Sequence, residues 1–193
     1  MIRRLADSTF TVEKLKQALL LCLEEKDYAD ITITEIARLA GINRTSFYLF
    51  FGSLEELFVE TCHSIVDKWF QPFFDLNLSY REDEEKALFY ELIVWMQKWA
   101  PALKRAVSMR TGSSNGFMLF VAELESKMHA QKILQTEEPD KQKRYDLFIK
   151  LYSVGLISFF QWWLTEGEGF DPEAFHDIIE RLRYKGYFSI LDD

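Results

Sequence analysis

The stretch 32–51, TITEIARLAGINRTSFYLFF, restricts the fold more than any other part of the chain, because it starts two helices and stops one within a short span. Thr32 and Glu35 form a capping box, each side chain placed to accept from the other's unpaired backbone N–H, and Ile31 and Ile36 bracket it as a hydrophobic staple. Gly41 supplies the left-handed conformation that ends a helix in a tight turn, and Asn43 is a good N-cap for the helix that follows. Ala37 and Ala40 are small enough to let two helices cross closely. The spacing predicts a helix-turn-helix, with helices over 33–40 and 44–51, whose second helix can lie in a DNA major groove.

The same signals continue on both sides. Thr11 reads as an N-cap with Phe10 and Leu15 as its staple, which predicts a helix over 11–26 that buries Leu15, Ala18, Leu19, Cys22 and Leu23. Gly52 interrupts the chain, and Ser53 with Glu56 makes another capping box for a helix over 54–69. Further helices are expected over 84–99, 101–108, 117–134, 141–166 and 172–188, the last announced by Asp171-Pro172, with loops at 111–116 and 137–140. Apolar residues recur at helical spacing and no alternating run is bounded by hairpin turns. The fold class is therefore all-α, with about nine helices. A three-helix helix-turn-helix module occupies residues 1–53, and a larger dimerisation and ligand-binding domain occupies 54–193.

Charge limits where such a module can meet DNA. The chain carries a formal charge of -8, but residues 1–53 hold seven Lys/Arg against seven Asp/Glu, while 54–193 hold 16 against 24. Nucleic-acid binding over the whole surface is excluded; a DNA-binding surface has to be local, with the acidic body turned away from phosphate.

On Thr32, Ile36-Ala37, Ala40-Gly41-Ile42-Asn43, Phe47-Tyr48, Phe51 and Leu57-Phe58, the segment 11–60 closely resembles the TetR family of bacterial transcriptional regulators. The resemblance implies that Arg44, Thr45, Ser46, Tyr48 and Leu49, with Thr32 at the start of the preceding helix, form the DNA-facing surface, while Ile36, Phe47 and Phe51 hold the module together. Arg44 can pair bidentately with guanine or with phosphate; Thr45 and Ser46 can bond phosphate or base edges; Tyr48 can reach phosphate through its hydroxyl; Leu49 can meet a thymine methyl. At Leu54 the chain departs from the family, which commonly has a phosphate-contacting lysine there. Its loss weakens sequence-independent binding unless Arg3, Arg4, Lys14 or Lys16 compensates.

Residues 69–163 are rich in aromatics. They can line a cavity for a small apolar or aromatic effector, with Trp69, Phe73, Tyr90, Trp95, Trp99, Phe117, Phe120 and Tyr152 as candidate walls, or they can be packed core and dimer interface. The resemblance implies a homodimer in which the last two long helices pair with their copies. Phe159, Trp162 and Trp163, with Gly155 for close approach, and Phe175, Ile178, Ile179 and Leu182 fit that face. A two-fold dimer sets two recognition helices about one DNA turn apart, which matches a palindromic operator on double-stranded DNA.

Other classes of function fare poorly. His63, His129 and His176 lie on separate helices without metal-type spacing, Cys22 and Cys62 are 40 positions apart in apolar patterns, no nucleophile has a recognisable base, and there is no glycine-rich phosphate loop. No enzyme, metal or cofactor is expected. No apolar run reaches the roughly 18 residues of a membrane span, and residues 1–10 do not resemble a secretory signal, so a cytoplasmic protein without membrane contact is expected. The sequence thus reads as a ligand-responsive transcriptional regulator, most simply a repressor. The alternative is a coactivator whose aromatic C-terminal domain binds another protein.

Overall fold

The computed structural model describes residues 2–76, 82–111, 114–131, 135–167, 169 and 171–184. Among these, nine α-helices follow in order: α1 (Ile2–Glu25), α2 (Ile33–Leu39), α3 (Arg44–Phe47), α4 (Leu54–Leu76), α5 (Glu82–Lys98), α6 (Ala100–Ser108), α7 (Gly116–His129), α8 (Pro139–Thr165) and α9 (Pro172–Tyr184). A 3-10 turn, Tyr28–Asp30, links α1 to α2. The all-α class read from the sequence is the observed one. The exception is a two-residue antiparallel pair, β1 (Arg110–Thr111) with β2 (Ser114–Asn115), in the stretch predicted as loop.

Several helix bounds differ from the sequence reading, and α8 already begins at Pro139, within the stretch expected to be loop. α1 begins at Ile2 and passes through Thr11, because residues 2–10 contain neither proline nor glycine and a threonine costs only about 0.7 kcal/mol inside a helix. The expected staple is therefore absent: Phe10 lies within the helix, 62% exposed, with the Lys14 ammonium 4.4 Å from its ring centre. α4 runs past Pro72 to Leu76, since one missing N–H removes one rung of the ladder without ending it. α3 is shorter than predicted; after Phe47 the chain continues through tight turns, Leu49 N–H to Ser46 O and Phe50 N–H to Phe47 O. α7 also ends earlier, at His129, and the predicted extension of α9 beyond Tyr184 lies outside the described residues.

One continuous core runs through both halves of the chain. Leu15, Leu19 and Leu23 of α1, Ile36 of α2, Phe47 of α3, Leu57 and Val66 of α4, Ile93 of α5, Leu124 of α7 and Ile149 of α8 are fully buried in it. Each contributes about 1.5–3 kcal/mol of apolar burial. α1 packs most extensively on α6 and also on α4, so the helix-turn-helix is seated on the larger body through α1 rather than tethered to it. The Arg105 guanidinium of α6 reinforces the seam, donating to the backbone oxygens of Leu23 at 2.8 Å and Glu24 at 2.7 Å, two of the unsatisfied carbonyls at the end of α1. Gly116 at the start of α7 allows a second close approach: a Cβ there would overlap the Ala106 carbonyl oxygen, and its N–H bonds Met109 O at 3.0 Å.

Candidate nucleic-acid interface

The turn between α2 and α3 is built from backbone upward. Thr32 caps α2, its hydroxyl accepting from Glu35 N–H at 3.3 Å, while the Glu35 carboxylate turns to Lys26 Nζ at 2.6 Å. At the other end Gly41 has φ +73°, Ile42 N–H reaches back to Ala37 O at 2.9 Å, and Gly41 N–H bonds Arg38 O at 3.2 Å. These two bonds make a Schellman motif, which satisfies the last carbonyls of α2 and fixes the direction in which the chain leaves it. Asn43 then caps α3 by accepting from Ser46 N–H at 2.8 Å. Phe47 is fully buried, its ring edge-on to Tyr48 at 5.6 Å and tilted on Phe51 at 6.0 Å. The buried side of α3 is thus locked, and its other side is left outward.

That outer side carries the residues predicted to face DNA. Arg44, Thr45, Tyr48 and Leu49 are exposed and Ser46 is half-buried, with Leu49 80% accessible. The Arg44 guanidinium lies 3.4 Å from the Tyr48 hydroxyl, so the two polar tips sit together one turn apart. Thr32 is exposed as well, though its hydroxyl is already engaged as a cap. Arg38 and Leu39 are also exposed, on the last turn of α2.

The compensating cations divide. Leu54 is half-buried and packs on the core. Lys16 is not available to phosphate: it is buried, 3.1 Å from Glu13 and 3.1 Å from Glu60, and donates to the Ser64 hydroxyl. Its stem lies on the inward side of α1, where only pairing makes burial of an ammonium tolerable. Lys14 is exposed, and the Arg3 and Arg4 side chains lie outside the described residues.

Residues 17–61 match the family of bacterial regulatory proteins described as the tetR family. The N-terminal module is of the tetR family. The match begins within α1 and spans α2, the turn, α3 and the first turns of α4, so it marks this segment as a DNA-binding regulator's module. The whole chain is similar in fold to NalD of Pseudomonas aeruginosa, with a TM-score of 0.54 and 18% identity over 93% of this chain and 96% of that one. NalD is described as the secondary repressor of the MexAB-OprM multidrug efflux pump. No curated protein matches the sequence.

Behind the tetR-family module, the predicted pocket residues fall on more than one space among the described residues. Trp95 and Phe120 line an apolar void of about 50 Å³ with Phe70, Met96, Phe160 and Leu164. Trp69, Trp95 and Trp99 line a separate groove of about 260 Å³ beside Glu13, Lys16 and Ser64. Tyr90 rests on Phe89 at 6.4 Å, Phe117 packs on the core, and Tyr152 stacks on the exposed Phe148 at 5.6 Å. The Phe73 side chain lies outside the described residues. The dispersal follows from helix geometry, since these aromatics fall on different faces of α4, α5, α7 and α8.

The residues predicted for a dimer face also separate. Trp163 and Phe175 stack at 6.1 Å and are buried within the chain; Phe175 also meets Phe89, Phe159 and Phe160. These two belong to the internal core. Phe159 and Ile178 are half-buried, Trp162 is 39% exposed, and the Ile179 and Leu182 side chains lie outside the described residues. The outer face of α8 instead carries Phe148, Leu151, Gly155, Ser158 and Trp162, at steps of three and four, with Leu147 beside them. Leu147, Phe148 and Leu151 are 60%, 48% and 57% exposed. By length and composition α8 is apolar enough to cross a membrane, which the sequence reading did not expect, and 28% of its apolar stretch is buried.

Proposed function

We propose that the chain is a cytoplasmic, ligand-responsive repressor that binds a palindromic operator as a homodimer. The observation that carries this reading is the outer face of α3, where Arg44, Tyr48 and Leu49 project from a turn fixed by its own backbone bonds and are exposed among the described residues. Such a face presents a cation, a hydroxyl and an apolar tip at the spacing of one helical turn, which suits phosphate, base edge and thymine methyl.

The uncovered seam on α8 supports the dimer. Leucines and aromatics at steps of three and four are the pattern of a helix that packs on another helix, and Gly155, with open space where its Cβ would stand, permits close approach of a second copy. That the fold resembles NalD, described as a repressor, favours repression as the mode. An apolar or aromatic effector would enter the void between α4, α5, α6, α7 and α8. At about 50 Å³ the void is well below an ordinary ligand site of about 300–1,000 Å³, so binding requires the helices to part. α4, which begins at the reader and lines the void through Ile65 and Phe70, would carry that displacement to the operator-binding face and favour a spacing that fits DNA less well.

Sedimentation of the purified chain tests this reading. A dimer is expected, and Phe148→Glu with Leu151→Glu should give a folded monomer that binds an operator duplex at least about tenfold more weakly, because half of the contacts are lost. A wild-type monomer with unimpaired duplex binding would overturn it. A second reading, a coactivator dependent on a protein partner, is favoured by the half-buried Leu54 and the sequestered Lys16, which leave the module short of phosphate-binding cations. It predicts weak autonomous binding and a stoichiometric partner on α8.

A further inference from the structure

An open cleft of about 830 Å³ lies at the seam between the DNA-binding module and the helical body. Asp27, Tyr28 and Ala29, from the connection between α1 and α2, form one wall. Lys104, Arg105 and Ser108 of α6, with Arg110 of β1, form the other, and Pro101, Met109 and Leu164 supply apolar surface. Three cations face a single carboxylate among the described lining residues, on a chain whose formal charge is -8. Asp27 is already committed, its Oδ1 lying 3.3 Å from Arg105 Nε. Lys104 and Arg110 are exposed and have no carboxylate within ion-pair distance among the described residues. Grouping uncompensated cations costs repulsion that a bound anion relieves.

We propose that this cleft is an effector site for an amphipathic carboxylate, whose charged group is held by Lys104 and Arg110 while its apolar body lies on Pro101, Met109 and Leu164. The site is distinct from the internal void, which offers apolar walls and no cation. Leu164 lines both spaces and forms part of the partition between them. Tyr28 adds a donor: burial, and then the charge of Glu55, push its hydroxyl up to about 12, so it stays protonated across the physiological range.

Occupancy would act on the reader through Arg105. That guanidinium holds the end of α1 by the Leu23 and Glu24 carbonyls and by Asp27, so a carboxylate drawn into the same cleft competes for its donors. The seam loosens, and operator affinity falls by the factor by which operator DNA weakens the carboxylate. Ligand binding itself does not depend on the operator reading; only this last step rests on it.

The test is calorimetric titration of the full chain with benzoate and 2-naphthoate, and with neutral 2-naphthamide as control, at about 0.15 M salt, where bare surface attraction is screened beyond about 8 Å. Binding of 2-naphthoate is expected, weakened at least about tenfold in the double variant Lys104→Ala with Arg110→Ala, with the amide binding neither protein. Both substitutions are at exposed positions, and an unchanged melting curve verifies the fold. Failure of both carboxylates to bind, equal binding by the amide, or full binding by the variant would each overturn the proposal. So would a variant that loses DNA affinity while carboxylates remain without effect, since the cations would then serve phosphate. Operator affinity measured without any carboxylate separates failure of this site from failure of the DNA-binding reading.

Discussion

Lys26 Nζ lies 2.6 Å from Glu35 Oε2 and so ties the chain just beyond α1 to the first turn of α2. Their mutual hydrogen bond raises Lys26 above its ordinary 10.5 and holds Glu35 below its ordinary 4.5. A depressed carboxylate contributes stability above its unfolded pKa and loses it as pH falls through the folded one; a raised ammonium contributes below its unfolded pKa and loses it only in strong base. Glu35→Gln should therefore lower the melting temperature slightly at about pH 7, and the gap to the parent should narrow as the pH falls below the ordinary carboxylate range. A gap of constant size as the pH falls would assign the effect to packing.

Gly41 offers a test of the turn that positions α3. Nothing lies within 4 Å of an added Cβ, so the cost of Gly41→Ala is the φ of +73° alone, about 1–2 kcal/mol. Asn at that position should cost less, since it tolerates the left-handed region. Denaturant titration orders the three proteins as glycine, asparagine, alanine in decreasing stability. Gly116→Ala should be far more damaging, because its Cβ would overlap backbone rather than open space.

Residues that read DNA should separate from residues that hold the module. Arg44→Ala removes an exposed side chain and should weaken operator binding by about 1–3 kcal/mol, roughly 5- to 150-fold, with stability changed by less than about 0.5 kcal/mol. Phe47→Ala empties a fully buried site and should cost about 3–5 kcal/mol of stability. Binding and unfolding curves of the same two preparations show the separation, or its absence.

Both cysteines should be silent in the folded protein. Burial pushes the Cys22 and Cys62 thiols up, with a further rise from the charge of Glu35 for Cys22 and of Glu123 for Cys62, so neither presents thiolate near neutral pH. A thiol reagent should label neither until denaturant unfolds the chain, and then both; rapid native labelling would show that a buried face opens.

What was legible in the sequence was local. Thr32, Gly41, Asn43 and Ser53 announce α2, α3 and α4 because caps and turns are set by backbone groups a few residues away, and those bonds are present. Thr11 misled because nothing before it breaks a helix, so a residue suited to capping was absorbed into α1. The assignments that failed needed knowledge of which helix lies against which. Lys16 meets Glu60 and Ser64 only once α1 packs on α4, and Phe175 enters the core only because α9 brings it against α5 and α8, while Phe148 and Leu151 on a similarly apolar helix remain outside. Arg105 bonds carbonyls more than 80 positions away, a contact that no short-range pattern encodes.

Selection from a randomised duplex pool at about 0.15 M salt, with wild type and Arg44→Ala side by side, tests the central claim most directly. A reader built on α3 and doubled by dimerisation predicts enrichment of a palindrome, with half-sites about one helical turn apart, that the variant fails to select. No enrichment by the wild type, or the same enrichment by both proteins, would contradict a DNA-reading role for this face.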